Sequence, residues 1–250
     1  MTVLIVLAVA PESAGSTADA LSRGLALEQS FDYEGAYAVY RAAAQADTSS
    51  YALWVRLAKV TGDRGMRFQF DGKKPEAKDA YTQAVNASRR ALRLDPRGWE
   101  GHSGLAANLG RLALFEGSKT KLQMSREVKT EAEKALQLNP KDDRSMHVLA
   151  RWNRGIAQLN TFEKTAAKVV YGGVPEGATM NNAVSWFEKA IAVDPDYANH
   201  HLELGRTYLS LKLPDKAREQ LELALKCPQK SPFDDEYRAD AQTLLRKAHS

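Results

Sequence analysis

Histidine, cysteine and acidic side chains supply most metal sites and nucleophiles in proteins, but their spacing here matches neither. The chain has five histidines and one cysteine, Cys227. The run His200-His201-Leu202-Glu203 lacks the two histidines four residues apart that a helical zinc site requires. Cys227 directly precedes Pro228 with no motif around it, so we expect a buried thiol rather than a nucleophile. The sequence therefore predicts no metal site, no cofactor and no enzyme activity.

Basic side chains recur at matching places and favour anion recognition instead. When four helical segments are aligned on a shared leucine, the position two residues further holds Lys59, Ala107, Arg151 and Arg206. Arg144 and Arg154 share roughly one helical face with Arg151. Arginine can hold a carboxylate or a phosphate through two parallel hydrogen bonds. Six residues form the candidate binding groove: Lys59, Arg144, His147, Arg151, Arg154 and Arg206. Equally, these arginines could pair with acids of adjacent helices.

Composition limits the classes of protein that remain. The 250 residues are 44% hydrophobic and 26% charged, with a net charge of +4. This is too charged for a membrane bundle and too weakly basic for a dedicated nucleic-acid binder. One cysteine excludes an intrachain disulfide framework. Packing must therefore stabilise the fold, and the oligomeric state stays open.

The first residues form a segment separate from the fold. Residues 3–10 are one apolar run of eight, too short to span a bilayer. With the small residues that follow, the run resembles the core of a secretory signal, although only two residues precede it. The alternative is an apolar tail or a short β-like segment that packs on the body. We expect residues 1–17 to be signal-like or unstructured and residues 18–250 to form the domain. The protein is exported or periplasmic if the signal is real and cytoplasmic otherwise.

A short sequence motif recurs at the ends of several helical segments. Each copy has a small residue, alternating large apolar residues and then proline, which stops a helix. The copies end at Pro96, Pro140, Pro195 and Pro228, with spacings of 44, 55 and 33 residues. These spacings fit a unit of about 34 residues, the tetratricopeptide period, with insertions in the middle copies. The pattern predicts an all-α solenoid of about five helix-turn-helix repeats closed by a C-terminal capping helix.

Two insertions interrupt the repeats. Residues 62–74 contain Met66, Phe68 and Phe70 among charged residues, and residues 160–180 are expected to extend a first helix before a glycine–proline turn. Both segments could fold over the groove as an apolar lid. The alternative is that they fill a gap between helices.

A narrower likeness is carried by segments that a generic repeat does not need. They include the Arg-Trp pair at 151–152 and the glycine–proline insertion after it. The residues are Phe115-Glu116-Gly117, Lys119, Lys121, residues 138–142 (LNPKD), His147, Leu149-Ala150-Arg151-Trp152, residues 162–164 (FEK), residues 166–168 (AAK), Tyr171-Gly172, Val174-Pro175 and Thr179. In these residues the chain resembles the regulator of microtubule dynamics family.

That resemblance implies a helical-repeat adaptor without catalysis. Animal members of the family are associated with microtubules, and one member lies at contacts between endoplasmic reticulum and mitochondria, where its repeat domain binds and moves phospholipids. We expect a non-enzymatic binding module that recognises a protein segment in its concave groove. The alternative is binding or transfer of an anionic phospholipid in the same groove.

Overall fold

The computed structural model describes residues 16–171 and 173–248, and within these it contains twelve α-helices and no β-strand. The apolar run at residues 3–10, Gly172 and His249 lie outside the described residues. The first helix begins at Thr17, where the Ser16 hydroxyl accepts a hydrogen bond from the Asp19 amide and the Asp19 carboxylate accepts one from the Ser16 amide. This reciprocal cap fixes the start of the first helix.

Ten of the helices form five pairs whose members pack on each other. The pairs are α1 (Thr17–Gln29) with α2 (Tyr33–Ala46), α3 (Tyr51–Phe70) with α4 (Lys74–Leu94), α5 (Trp99–Leu112) with α6 (Ser118–Leu138), α7 (Asp143–Ala157) with α9 (Met180–Val193), and α10 (Ala198–Ser210) with α11 (Pro214–Lys226). Helix α8 (Thr161–Tyr171) follows α7 and precedes α9 in the chain, and α12 (Asp234–Ala248) packs on α10 and α11. The predicted solenoid of five repeats with a capping helix is confirmed.

The proline-containing motifs lie at the ends of the second helices of the repeats, as predicted. Helices α4, α6, α9 and α11 each end two residues before their proline, because the residue preceding proline disfavours α geometry. The carbonyls of Pro96 and Pro195 then meet the Nε2 atoms of His102 and His201, at 3.0 and 2.9 Å. Two of the five histidines therefore have a structural role at the joint between successive repeats.

Glycine lets the two helices of a pair approach closely. A Cβ atom on Gly24, Gly65 or Gly205 would lie less than 3 Å from a large side chain of the partner helix. The partners lie sixteen residues further along in each case: Tyr40, Tyr81 and Leu221. In these three pairs a glycine on the first helix therefore makes room for a large side chain on the second.

The first insertion fills a gap between helices, the alternative expected from the sequence, since Met66 and Phe68 pack against clusters of buried residues, whereas the second does not extend a first helix. Most of residues 62–74 lie in α3, which continues to Phe70. Residues 160–180 do not extend α7, which ends at Ala157; a new helix, α8, begins at Thr161. Phe162 and Val169 of α8 are 81% and 80% exposed, so these side chains point away from the body rather than into a groove.

The extended end of α3 contacts the capping region and brings the first and last repeats together. Arg67 of α3 forms an ion pair with Glu236 and donates a hydrogen bond to the Pro232 carbonyl at 3.2 Å. The buried ring of Phe233 lies 5.8 Å from the Phe70 ring and 6.3 Å from the Tyr33 ring, between centroids. These contacts, which we call the end contact, close the solenoid around its inner face.

Candidate functional site

The inner face is built from the first helices of successive repeats. Helix α3 contacts α5, α5 contacts α7, and α7 contacts α10. Charged side chains of these four helices lie close enough to interact electrostatically, and we call the set the inner wall. It consists of Lys59, Asp63, Arg111, Arg144, Arg151, Arg154, Glu203 and Arg206.

Three of the predicted groove residues are neutralised by acids. Lys59 Nζ lies 2.8 Å from Glu28 and 3.1 Å from Asp63. Arg206 lies 2.6 Å from Asp240 of the capping helix. For Lys59 and Arg206 the alternative of pairing between helices is therefore the one that the structure shows.

Arg154 is the third neutralised residue. It forms an ion pair with Glu203 and donates hydrogen bonds to the Glu203 carbonyl at 2.9 Å and the Thr207 hydroxyl at 3.1 Å. Burial opposes ionisation of Glu203, but Arg151, Arg154 and Arg206 outweigh it and lower the pKa of this carboxyl. The ionised carboxylate of Glu203 therefore links α7 to α10 through its ion pair with Arg154.

The other arginines of the inner wall have no such partner. Within the described chain, Arg111, Arg144 and Arg151 form no ion pair with a carboxylate. Burial, and then the positive charge of Arg111, lower the pKa of Arg144. Asp63 faces both guanidiniums; burial opposes its ionisation, but Lys59, Arg111 and Arg144 hold its pKa below the ordinary value. One shared carboxylate therefore faces several cations.

Arg111 also carries an unused hydrogen-bond donor. Its Nη1 atom is buried and has no hydrogen-bond partner among the described residues. A buried donor left without an acceptor costs about 1–3 kcal/mol, and more when it is charged. The inner wall is therefore complementary to an added anion that would supply acceptors.

His147 is not part of the inner wall. It is 8% exposed, its ring packs edge-on against Phe187 with centroids 5.3 Å apart, and its Nδ1 lies 2.9 Å from Nδ1 of His200. Its pKa is lowered well below 6.5, by burial first and then by His200, Arg151 and Arg154. The expectation that His147 lines the groove does not fit this position, because the ring is enclosed between helices.

Aromatic side chains that the sequence did not single out complete the site. Tyr197 and Tyr237 meet edge to face with centroids 6.2 Å apart, and the Tyr237 hydroxyl lies 3.7 Å from the Met66 sulfur. Both tyrosines interact electrostatically with Arg111. An apolar and aromatic patch therefore lies beside the unpaired guanidiniums.

A simple signal could have located the missed charged residues. Asp63 and Arg111 lie four residues, one helical turn, after the aligned positions Lys59 and Ala107. Following the same helical face one turn further identifies both. The tyrosines have no such signal, since Tyr237 reaches the site from the capping helix.

No arrangement for catalysis is seen in the part of the chain that the structure describes. Among these residues, no three histidine, cysteine or acidic side chains are grouped to hold a metal ion. The Cys227 thiol is buried, and burial raises its pKa, which disfavours the reactive thiolate. None of the described helices is both long and apolar enough to cross a bilayer.

Five stacked helix pairs around a charged inner wall define a tetratricopeptide-like repeat protein. The fold is similar to that of a thermophilic TPR protein from Thermus thermophilus, with a TM-score of 0.65, 16% identity and coverage of 91% of this chain and all of the other. It is also similar to the type IV pilus biogenesis factor PilW, with a TM-score of 0.53, 14% identity and coverage of 95% and 94%. At these identities the likeness shows the fold alone.

The sequence comparisons are more specific. The chain belongs to the family described as regulator of microtubule dynamics protein 1–3, whose family model matches residues 17–249. Regulator of microtubule dynamics protein 1 of Bos taurus is 32% identical over 196 residues, which cover 78% of this chain and 60% of the bovine protein. The mouse regulator of microtubule dynamics protein 3 is 29% identical over 198 residues, which cover 77% of this chain but 40% of the relative. The matched region is thus a part of these longer proteins.

Proposed function

We propose that this protein is a non-catalytic adaptor whose inner wall binds an anionic segment of a partner protein. The observation that carries the proposal is the contrast between two sets of basic residues on one surface. Lys59, Arg154 and Arg206 each have a carboxylate partner. Arg111, Arg144 and Arg151 have none among the described residues.

Physical chemistry supports an anionic ligand at these unpaired arginines. Arg111 and Arg144 are partly buried, and an unpaired charge removed from water carries a free-energy cost that an incoming carboxylate would reduce; Arg151 is exposed and offers its charge without that cost. A guanidinium can also bind a carboxylate through two parallel hydrogen bonds, which gives the contact direction as well as strength.

Two further facts favour a protein as the source of the anion. Stacked helical repeats offer the extended concave surfaces with which such arrays bind other molecules. The curated relatives are named for the regulation of microtubule dynamics, and microtubules are built of protein.

Photo-cross-linking locates the binding site directly. The probe is a fluorescein-labelled octaglutamate peptide that also carries one benzoylphenylalanine. We expect the wild-type protein to cross-link through α5, α7 or α10, as mapped by mass spectrometry. Arg144→Glu with Arg151→Glu should weaken binding at least tenfold.

A matched control variant makes the same two changes of charge at positions outside the inner wall. Arg23 and Lys134 are exposed and form no ion pair within the described residues, so Arg23→Glu with Lys134→Glu should bind like the wild type. Equal affinity of the Arg144→Glu/Arg151→Glu variant and the wild type would refute the proposal. Cross-links that avoid α5, α7 and α10 would refute it as well.

A second candidate is an anionic phospholipid at the same surface. It is favoured by the apolar patch of Met66, Tyr197 and Tyr237 beside Arg111, which matches an acyl chain next to a phosphate. Native mass spectrometry of the purified protein decides between the two ligands. Bound phospholipid in the wild type that is missing from Arg144→Glu/Arg151→Glu would favour the lipid. If neither the wild type nor the variant carries phospholipid, the result favours the protein segment as the ligand.

A further inference from the structure

A second groove lies on the outer side of the first two repeats. Helices α2 and α4 both pack on α3, and between them is a cavity of about 490 Å³. Its floor contains Leu57, Thr61 and Ala87, all of which are buried. This volume lies within the range of about 300–1,000 Å³ that is common for ligand-binding clefts. We call this cavity the outer groove.

The charge of the outer groove has one sign. Three of its twelve lining residues are arginines, Arg41 on α2 and Arg90 and Arg93 on α4, and none is an acid. Arg90 donates a hydrogen bond to the Thr48 carbonyl at 3.0 Å. Arg41 and Arg93 are exposed and have no carboxylate partner among the described residues. The groove therefore carries an uncompensated positive charge.

The neighbouring second helices, α4 and α6, show that this is not a general property of the fold. There Arg89 of α4 pairs with Glu127 of α6 at 2.9 Å, and Lys78 of α4 pairs with Glu116, just before α6, at 2.9 Å. These two basic residues are thus neutralised by acids. Arg41 and Arg93, between α2 and α4, are not.

The uncharged walls indicate what kind of anion fits. Gln45, Gln83 and Asn86 line the groove, and their amides can both donate and accept hydrogen bonds, as the backbone of an extended peptide requires. Tyr37 and Trp54 offer aromatic surface beside the apolar floor. A single phosphate ion is bound best by guanidiniums that converge on one point. Here Arg41 lies on α2, whereas Arg90 and Arg93 lie on the opposite helix, α4.

From these features we infer that the outer groove is a second docking site, and that its occupant is an acidic peptide segment of a partner protein with an apolar side chain. The acidic side chains pair with Arg41, Arg90 and Arg93, and the apolar side chain rests on Leu57 and Ala87 beside Trp54. This site is independent of the inner wall, since its arginines lie on α2 and α4 rather than on the first helices of the repeats.

The experiment uses proteins in which binding at the inner wall is already weakened, so that binding at the outer groove is measured alone. All proteins carry Arg144→Glu with Arg151→Glu, and the probe is a fluorescein-labelled peptide of sequence Glu-Asp-Leu-Glu-Asp-Leu-Glu-Asp-Glu with a benzoylphenylalanine in place of the second leucine. We expect saturable binding in this background and cross-links to α2, α3 or α4. Adding Arg41→Glu with Arg93→Glu should weaken binding at least tenfold, and Arg41→Gln with Arg93→Gln should weaken it less.

Controls make each outcome decisive. Adding Arg23→Glu with Lys134→Glu instead should leave the affinity within twofold. A peptide with serine in place of both leucine positions should bind several-fold more weakly, because the apolar contact is lost. No binding in this background, cross-links outside α2–α4, or an affinity that does not change with Arg41 and Arg93 would overturn the inference. Inorganic phosphate or phosphatidylserine vesicles that bind through these arginines while the peptide does not would overturn the assignment of a peptide.

Discussion

The Nδ1 atoms of His147 and His200 lie 2.9 Å apart, and Nε2 of His200 lies 3.0 Å from a carboxylate oxygen of Asp143. If the proton on Nε2 of His200 points to Asp143, the Nδ1 of a neutral His200 is an acceptor, and His147 donates from its own Nδ1. The chain from His147 through His200 to Asp143 links α7 to α10. A second proton on His147 would place a charge beside Arg151 and Arg154, which already lower the pKa of this ring.

This geometry predicts loss of stability at mildly acidic pH. The unfolded chain binds a proton at His147 near pH 6.5, whereas burial, His200 and the arginines keep the folded ring neutral. The free energy of unfolding should therefore fall as the pH drops below 6.5, by up to ~1.4 kcal/mol per pH unit. Asp63 and Glu203 add to the loss only near pH 4 and below, because their pKa values are lowered from 3.8 and 4.5.

Urea unfolding between pH 7.5 and 5.0 measures this effect. His147→Leu should be less stable than the wild type at pH 7.5 but should lose less stability on acidification. Parallel pH profiles for the two proteins would show that His147 is not the group responsible.

Phe233 is expected to be a main stabilising residue of the end contact. Its ring is 1% exposed and contacts Phe70 and Tyr33 of the first repeats. Phe233→Ala should lower the free energy of unfolding by about 3–5 kcal/mol, as other buried Phe-to-Ala changes do. Phe162→Ala, at a ring that is 81% exposed, should change it by less than ~0.5 kcal/mol. Chemical denaturation compares the two, and a similar effect of both changes would contradict the role of Phe233.

Glu203 is predicted to stabilise the protein while limiting its anion affinity. Glu203→Gln leaves Arg154 and Arg206 with one acid fewer, and removal of one partner of a buried ion pair costs about 3–5 kcal/mol. Inorganic phosphate should then raise the Tm of the variant more than that of the wild type. The exposed Glu222 is the matched control, and Glu222→Gln should change neither the Tm nor the response to phosphate. Equal phosphate responses in all three proteins would count against an anion-binding inner wall.

Two helical glycines should respond to alanine in opposite directions. A Cβ at Gly24 would lie 2.2 Å from the Tyr40 ring, so Gly24→Ala should destabilise the protein by about 1–3 kcal/mol. At Gly155 no atom lies within 4 Å of the added Cβ, and Gly155→Ala should stabilise it by about 0.5–1 kcal/mol. Thermal unfolding measures both, and destabilisation by Gly155→Ala would show that space at that position is needed.

Helix boundaries and repeat number could be predicted from sequence because they depend on local chemistry. Proline is tolerated in the first turn of a helix but not beyond it, so α4, α6, α9 and α11 end two residues before Pro96, Pro140, Pro195 and Pro228. The small residues opposite large ones also recur at a fixed separation, as Gly205 and Leu221 show. Local patterns of this kind are independent of how distant parts of the chain meet.

The ion pairing of the inner wall could not be predicted in the same way. Whether Arg206 is free depends on Asp240 of the capping helix, and whether Lys59 is free depends on Glu28 of the first repeat. His147 has the helical register of the inner face but lies enclosed against His200, 53 residues away. For residues 62–70 the sequence left two alternatives open, because the contacts of Met66 and Phe68 depend on helices that are distant in the chain.

Contact between Arg67 and Glu236 sets this array apart from open-ended solenoids, in which each unit touches only its neighbours. An extra helix pair, or a missing one, would move the capping helix away from α3 and expose Phe233 to water. The number of units is therefore fixed by geometry.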